Sequence, residues 1–148
     1  MEHELKERYD ALKAALAIDL SQLDDTLIRC PQLMQDAGEL SAEALFLERA
    51  ADLTLDVITA SVSSQLRNDG VDAGRKQRSE AAITSELPNN EEYQMARNAY
   101  DSARLDSSLC QSLANSMRER VRTIIKVGDL IQAGYITPNS AAYRDKFK

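Results

Sequence analysis

The sequence is poor in residues that interrupt a chain. It has five glycines, three prolines and no tryptophan in 148 residues, and aromatic residues make up 5% of it. So few breakers cannot supply the many turns of a β-sandwich or β-barrel, whereas long helices need few. A content of 43% hydrophobic and 28% charged residues argues against disorder throughout the chain. The composition therefore predicts an all-α protein.

The sequence also lacks long apolar runs. None approaches the roughly 20 residues that cross a bilayer, and the charged N-terminus has no apolar core of a signal peptide. Cys30 and Cys110 are isolated in sequence, and two thiols in a chain without an export signal are expected to be reduced and buried. We therefore expect a cytoplasmic protein with no membrane partner.

Residue types that carry catalysis or bind metal are scarce. The single histidine, His3, sits in a terminus that is expected to fray. Gly70 and Gly74 lack the following Gly-Lys-Ser/Thr of a phosphate-binding loop, and no Cys or His cluster has metal-ligand spacing. Glu39 and Glu43 share a helix face, which a solvated surface explains best. The sequence thus predicts a protein that is not an enzyme, with no catalytic residue, no metal and no cofactor.

Helical periodicity is what the sequence has in abundance. Two apolar stripes recur at spacings of three and four, the second in strict alternation over more than five heptads, which is typical of a coiled coil. The first stripe is Leu33, Ala37, Leu40, Ala44, Leu47, Ala51, Leu55, Ile58, Val62 and Leu66. The second is Tyr93, Ala96, Tyr100, Ala103, Ser107, Cys110, Ala114, Met117, Val121, Ile124, Gly128 and Ile131. Leu105, Leu109 and Leu113 add a further apolar strip.

These patterns divide the chain, taken as a single helical domain of residues 1–148, into six segments. Pro31 is placed at the start of a helix, where its missing N–H would be unpaired anyway, Ser79 caps a short helix, and Gly134 ends a long one. The segments are short N-terminal helices in 1–30, a first long helix over 31–66, a basic loop over 67–79, a short helix over 80–88, a second long helix over 89–133 and a tail over 134–148. The simplest arrangement is an antiparallel hairpin of the two long helices with short flanking helices, completed by oligomerisation.

Charge is distributed unevenly along the chain. The net charge is −6, but residues 1–60 carry −8 and residues 115–148 carry +4. Such asymmetry favours head-to-tail association or a local anion site. Two basic clusters could contact a phosphate backbone: Arg67, Arg75, Lys76 and Arg78 in and before the loop, and Arg118, Arg120, Arg122 and Lys126 in the second long helix. A solvated loop and pairing with a helix dipole or an acidic neighbour are the respective alternatives.

The order of several short motifs gives a family resemblance. Ile18-Asp19-Leu20-Ser21-Gln22-Leu23 enters a helix, Arg78-Ser79-Glu80 follows the loop, and Glu92-Tyr93 with Ala96 opens a long helix that leaves through Gly134-Tyr135. With this layout over about residues 15–147, the chain resembles the phage UvsY family of recombination mediators. It departs from that family at Leu55-Asp56-Val57-Ile58, where basic residues are usual.

The resemblance implies a homo-oligomeric ring that binds single-stranded DNA. Such a protein loads a RecA-like recombinase onto strands covered by single-strand-binding protein, in phage DNA recombination, replication and repair, inside the bacterial host cell. By position it assigns DNA binding to Arg67, Arg75, Lys76 and Arg78, to which we add Arg118, Arg122 and Lys126. The oligomerisation residues are expected to be Ile131, Tyr135, Ile136, Tyr143 and Phe147. The alternative is an acidic helical phage protein that binds or inhibits a host protein, or a structural or assembly chaperone.

Overall fold

The computed structural model describes residues 3–17, 23–68 and 78–135, and these residues form helices joined by short turns, with no strand. The helices are α1 (His3–Ala14), α2 (Leu23–Asn68), α3 (Glu80–Glu86) and α4 (Glu91–Gln132), with a 3-10 turn at Leu87–Asn89. The predicted all-α class is therefore confirmed. In the described part of the chain, none of the helices is both long and apolar enough to cross a membrane.

Helix α2 runs without a break through Pro31. The predicted boundary between the short helices in 1–30 and a long helix starting at Pro31 was wrong. Proline removes one N–H from the helix, so the carbonyl of Leu27 loses its usual partner. The helix continues because the same face stays in contact with the core on both sides of the proline: Cys30 and Ala37 are buried. Packing of a buried face outweighs a local propensity.

Contacts divide the chain into two compact units, which are described separately. The loop unit comprises Ala42–Ser108, and the terminal unit comprises Glu2–Ser41 with Leu109–Lys148. The long helices α2 and α4 pack together, and each contributes to both units. The core of the loop unit includes Ala44, Leu55, Val62, Ile83, Ala96 and Ser107. The core of the terminal unit includes Leu5, Leu12, Cys30, Ala37, Leu40, Cys110, Leu113, Ala114, Met117 and Ile124.

Both apolar stripes face the interior. Every residue of the stripe from Leu33 to Leu66 and of the stripe from Tyr93 to Ile131 is buried or half-buried. The heptad pattern therefore identified the packed faces correctly. The additional strip is divided: Leu113 is buried, whereas Leu105 is 60% exposed. Cys30 and Cys110 are buried and are not joined in a disulfide, as expected.

The helix ends follow from capping residues. The Ser79 hydroxyl accepts a hydrogen bond from the amide of Ala82 and caps α3. Asn90 caps α4 by accepting from the amide of Tyr93 at 3.1 Å, so this helix begins at Glu91, two residues after the predicted start at 89. Gly134 has a φ of 76°.

The chain ends α4 in a Schellman motif. The amide of Tyr135 donates to the carbonyl of Leu130, and the amide of Gly134 donates to that of Ile131, both at 3.0 Å. These bonds satisfy carbonyls that a helix end would leave unpaired. The predicted stop at Gly134 is confirmed.

Two glycines provide a matched test of this account. An added Cβ at Gly38, inside α2, meets no atom within 4 Å, so Gly38→Ala should stabilise the protein by about 0.5–1 kcal/mol. Gly134 also has open space, but its positive φ should make Gly134→Ala lose about 1 kcal/mol. Urea unfolding followed by circular dichroism measures both. Equal effects of the two substitutions would contradict the assigned roles.

Candidate nucleic-acid interface

The first basic cluster is tied to α3. Arg67, at the end of α2, forms an ion pair with Glu80, and Arg78 forms one with Glu86. Exposed pairs of this kind contribute little stability, about 0–1 kcal/mol. They do place a carboxylate against each guanidinium, which reduces the positive charge offered to an anion. Arg75 and Lys76 lie outside the described residues, so the cluster as a whole is not assembled here.

The second basic cluster forms a row along α4 in the terminal unit. Arg118, Arg122 and Lys126 are exposed and follow each other at intervals of four residues, so they lie on neighbouring turns over about 12 Å of helix. Arg118 donates to the side-chain oxygen of Asn115 at 2.7 Å, and Arg122 pairs with Glu119. We call Arg118, Arg122 and Lys126 the basic face.

Arg120 belongs to the same run of sequence but has a different environment. It is 8% exposed. Its Nε donates to the carbonyl of Leu16 and its Nη2 to that of Ala17, both at 3.2 Å. Its Nη1 lies 3.5 Å from the sulfur of Cys30. The guanidinium thus joins α4 to α2 and to the segment that follows α1.

The position of Arg120 could have been anticipated. It follows Met117 by three residues and precedes Ile124 by four, so it stands at the edge of the buried seam of α4. Arg118 and Arg122 are displaced from that edge. Grouping these residues by charge alone hides the difference, because residues close in sequence point in different directions around a helix.

Two cavities open in the terminal unit. One, of about 210 Å³, is lined by Arg120 together with Ala15, Ala17, Asp25, Thr26, Arg29 and Leu33. The other, of about 420 Å³, is lined by Arg8, Ala11, Leu12, Leu33, Asp36 and Glu39. Each mixes apolar atoms with charges of both signs. Within residues 3–17, 23–68 and 78–135, no group of three or more His, Cys, Asp or Glu side chains is arranged to hold a metal ion.

The predicted oligomerisation residues are described only in part. Ile131 is half-buried on α4. Tyr135 is 81% exposed, directly after Gly134. Ile136, Tyr143 and Phe147 lie outside the described residues.

Comparison with known proteins leaves the function to be argued from these surfaces. No protein-family model, curated protein or solved structure matches the chain. The resemblance to the UvsY family stays a prediction, and so does each role that it assigns.

The buried arginine provides a test of what is structural in the second cluster. Arg120→Met removes two hydrogen bonds to carbonyls and should destabilise the protein by about 2 kcal/mol, because bonds from a charged donor are worth about 1.5–3 kcal/mol. Arg118→Met, two residues away and exposed, should change stability by less than about 0.5 kcal/mol. Urea unfolding of the pair measures the difference. Equal stability of the two variants would show that Arg120 does not hold these elements together.

Proposed function

We propose that the chain is a non-catalytic recombination mediator that binds single-stranded DNA through phosphates and presents it to a RecA-like recombinase. The observation that carries the DNA-binding part is the basic face of α4, where three cationic side chains are exposed in a row. The mediator part, including a ring-like homo-oligomer and the exchange with single-strand-binding protein, rests on the resemblance in sequence.

The chemistry of the basic face favours phosphate contacts over base reading. Arginine and lysine bind phosphate oxygens without distinguishing sequence, and arginine can do so with two parallel bonds. Tyr135, exposed after the end of α4, is an aromatic surface on which a base could stack. We therefore expect binding with little sequence preference.

Acidic neighbours limit the affinity. Glu119 pairs with Arg122, and the whole chain carries a net charge of −6. DNA must compete with that carboxylate and approach an acidic protein, so binding should be measurable at low salt and should weaken steeply as salt is added.

The basic face is tested by two double variants of the same helix. Arg118→Ala with Arg122→Ala should weaken binding to single-stranded DNA and lower the magnitude of the salt slope by about 1.4, since each lost phosphate contact accounts for about 0.7. Arg97→Ala with Arg104→Ala removes two exposed arginines from elsewhere on α4 and changes the net charge equally. Fluorescence anisotropy of a labelled oligonucleotide at several salt concentrations measures both. If the control weakens binding as much, net charge alone explains the effect.

The loop cluster is tested separately in a loading assay. Arg75→Ala, Lys76→Ala and Arg78→Ala together should weaken DNA binding. They should also lengthen the delay before the recombinase begins to hydrolyse ATP on strands covered by single-strand-binding protein. The oligomer should keep its mass in light scattering, which serves as the control. If the unmodified chain binds DNA but does not shorten this delay, the chain is a DNA-binding protein and not a mediator.

The second candidate function is an acidic protein that binds a basic partner. It is favoured by the exposed carboxylates of Asp52 and Asp56, which lie one turn apart on α2. In the same oligonucleotide titration this candidate predicts no binding at any salt concentration, together with affinity for a basic protein.

A further inference from the structure

Helix α2 has a second apolar row on the side away from its buried stripe. In the loop unit this row is exposed along its whole length, with Phe46 70%, Leu53 67% and Val57 69% exposed. Its members are Phe46, Ala50, Leu53, Val57, Ala60 and Ser64. Three large side chains in water on one face of one helix form the kind of apolar patch that marks an interaction surface.

The spacing of the row identifies the kind of partner. From Phe46 to Ser64 the steps are four, three, four, three and four residues. That alternation is the heptad repeat by which a helix packs along another helix in a coiled coil. The row therefore fits a long helix lying nearly parallel or antiparallel to α2.

The charges beside the row identify that helix as a second copy of α2. Arg49 and Asp56 are exposed, opposite in sign and one heptad apart. Each directly precedes an apolar position, Ala50 or Val57, so both lie on the same edge of the row. In an antiparallel coiled coil these equivalent edges meet. Two copies that cross between residues 51 and 52 bring Arg49 of each copy opposite Asp56 of the other.

The same register matches the apolar side chains by size. Phe46 of one copy meets Val57 of the other, and the small Ala50 meets Leu53. Each contact occurs twice because the arrangement is two-fold symmetric and self-complementary. Large and small side chains thus alternate across the contact.

A parallel pairing of the same rows lacks these advantages. It would set Arg49 across from Thr54, and it would bring Glu43, one heptad before Ala50, next to Glu43 of the other copy. Like charges at such positions repel. The charges therefore select the antiparallel arrangement.

We propose that residues 46–57 of α2 form a self-docking seam that pairs antiparallel with the same residues of a second copy, with Arg49 opposite Asp56. The seam shares no residue with the basic face of α4. Either proposal can therefore be wrong while the other is right.

Charge reversal tests the register. Arg49→Asp and Asp56→Arg should each weaken the dimer by about tenfold or more, because each puts like charges opposite each other at two places in the dimer. The double variant restores opposite charges and should return to within about threefold of the unmodified chain. Light scattering over a concentration series measures the dissociation constant. A double variant no tighter than the single ones would overturn the pairing of Arg49 with Asp56.

An apolar substitution tests the seam itself. Leu53→Glu should break the seam and lower the mass of the assembly in light scattering while leaving the helix content of the chain unchanged, because Leu53 is outside the core. Met95→Glu, at a residue of α4 that is 74% exposed, is the matched control and should leave the dimer intact. A chain that is monomeric without any substitution, or a Leu53→Glu dimer as tight as the unmodified one, would overturn the proposal.

Disulfide trapping tests the direction. In the antiparallel seam, two copies of Phe46→Cys hold their thiols about 16 Å apart along the helix axis, too far for a disulfide. The double variant Phe46→Cys with Val57→Cys should cross-link into a dimer on mild oxidation. The native Cys30 and Cys110 are buried and serve as a silent background. Cross-linking of Phe46→Cys alone would show a parallel seam and contradict the proposal.

Discussion

The packing of α2 against α4 depends on small residues at the buried faces. Ala44, Ala96, Ser107 and Ala114 are buried, as is Cys110. Side chains of this size allow helix backbones to approach closely, and the free energy comes from apolar surface removed from water along tens of residues. This constraint explains the length of the helices: a stripe of small side chains buries little area per turn, so many turns are needed. It also explains why α2 passes through Pro31, since stopping there would separate the buried Cys30 from the rest of the stripe.

Where a chain leaves a helix beside a buried seam, its backbone carbonyls need hydrogen-bond donors. Arg120 supplies such donors: its guanidinium lies at the edge of the seam and donates to the carbonyls of Leu16 and Ala17, just beyond α1. A guanidinium carries several donors in a rigid fork, so one side chain can serve more than one carbonyl. The neighbours at 118, 122 and 126 are turned to solvent. One run of basic residues therefore serves the interior with one member and the surface with the others.

The sequence predicted the interior better than the surface. Both stripes and the stop at Gly134 were read correctly, because burial imposes a period and a cap requires particular residues. The boundary at Pro31 was misplaced because a local rule was applied without knowing which face is buried. The role of Arg120 and the exposed row from Phe46 to Ser64 were missed for a related reason. The position of Arg120 at the edge of the seam follows from its spacing to Met117 and Ile124, which the grouping by charge ignored, whereas an exposed apolar row on a second face is recognised only when the orientation of the helix is known.

The proposals assign different work to the two long helices: α2 joins copies of the chain, and the basic face of α4 meets phosphates. Size-exclusion chromatography with light scattering, with and without single-stranded DNA at low salt, tests this division most directly. The account predicts a species of at least two chains without DNA, and a complex whose mass rises by that of the bound oligonucleotide. A stable monomer whose mass is indifferent to DNA would contradict it.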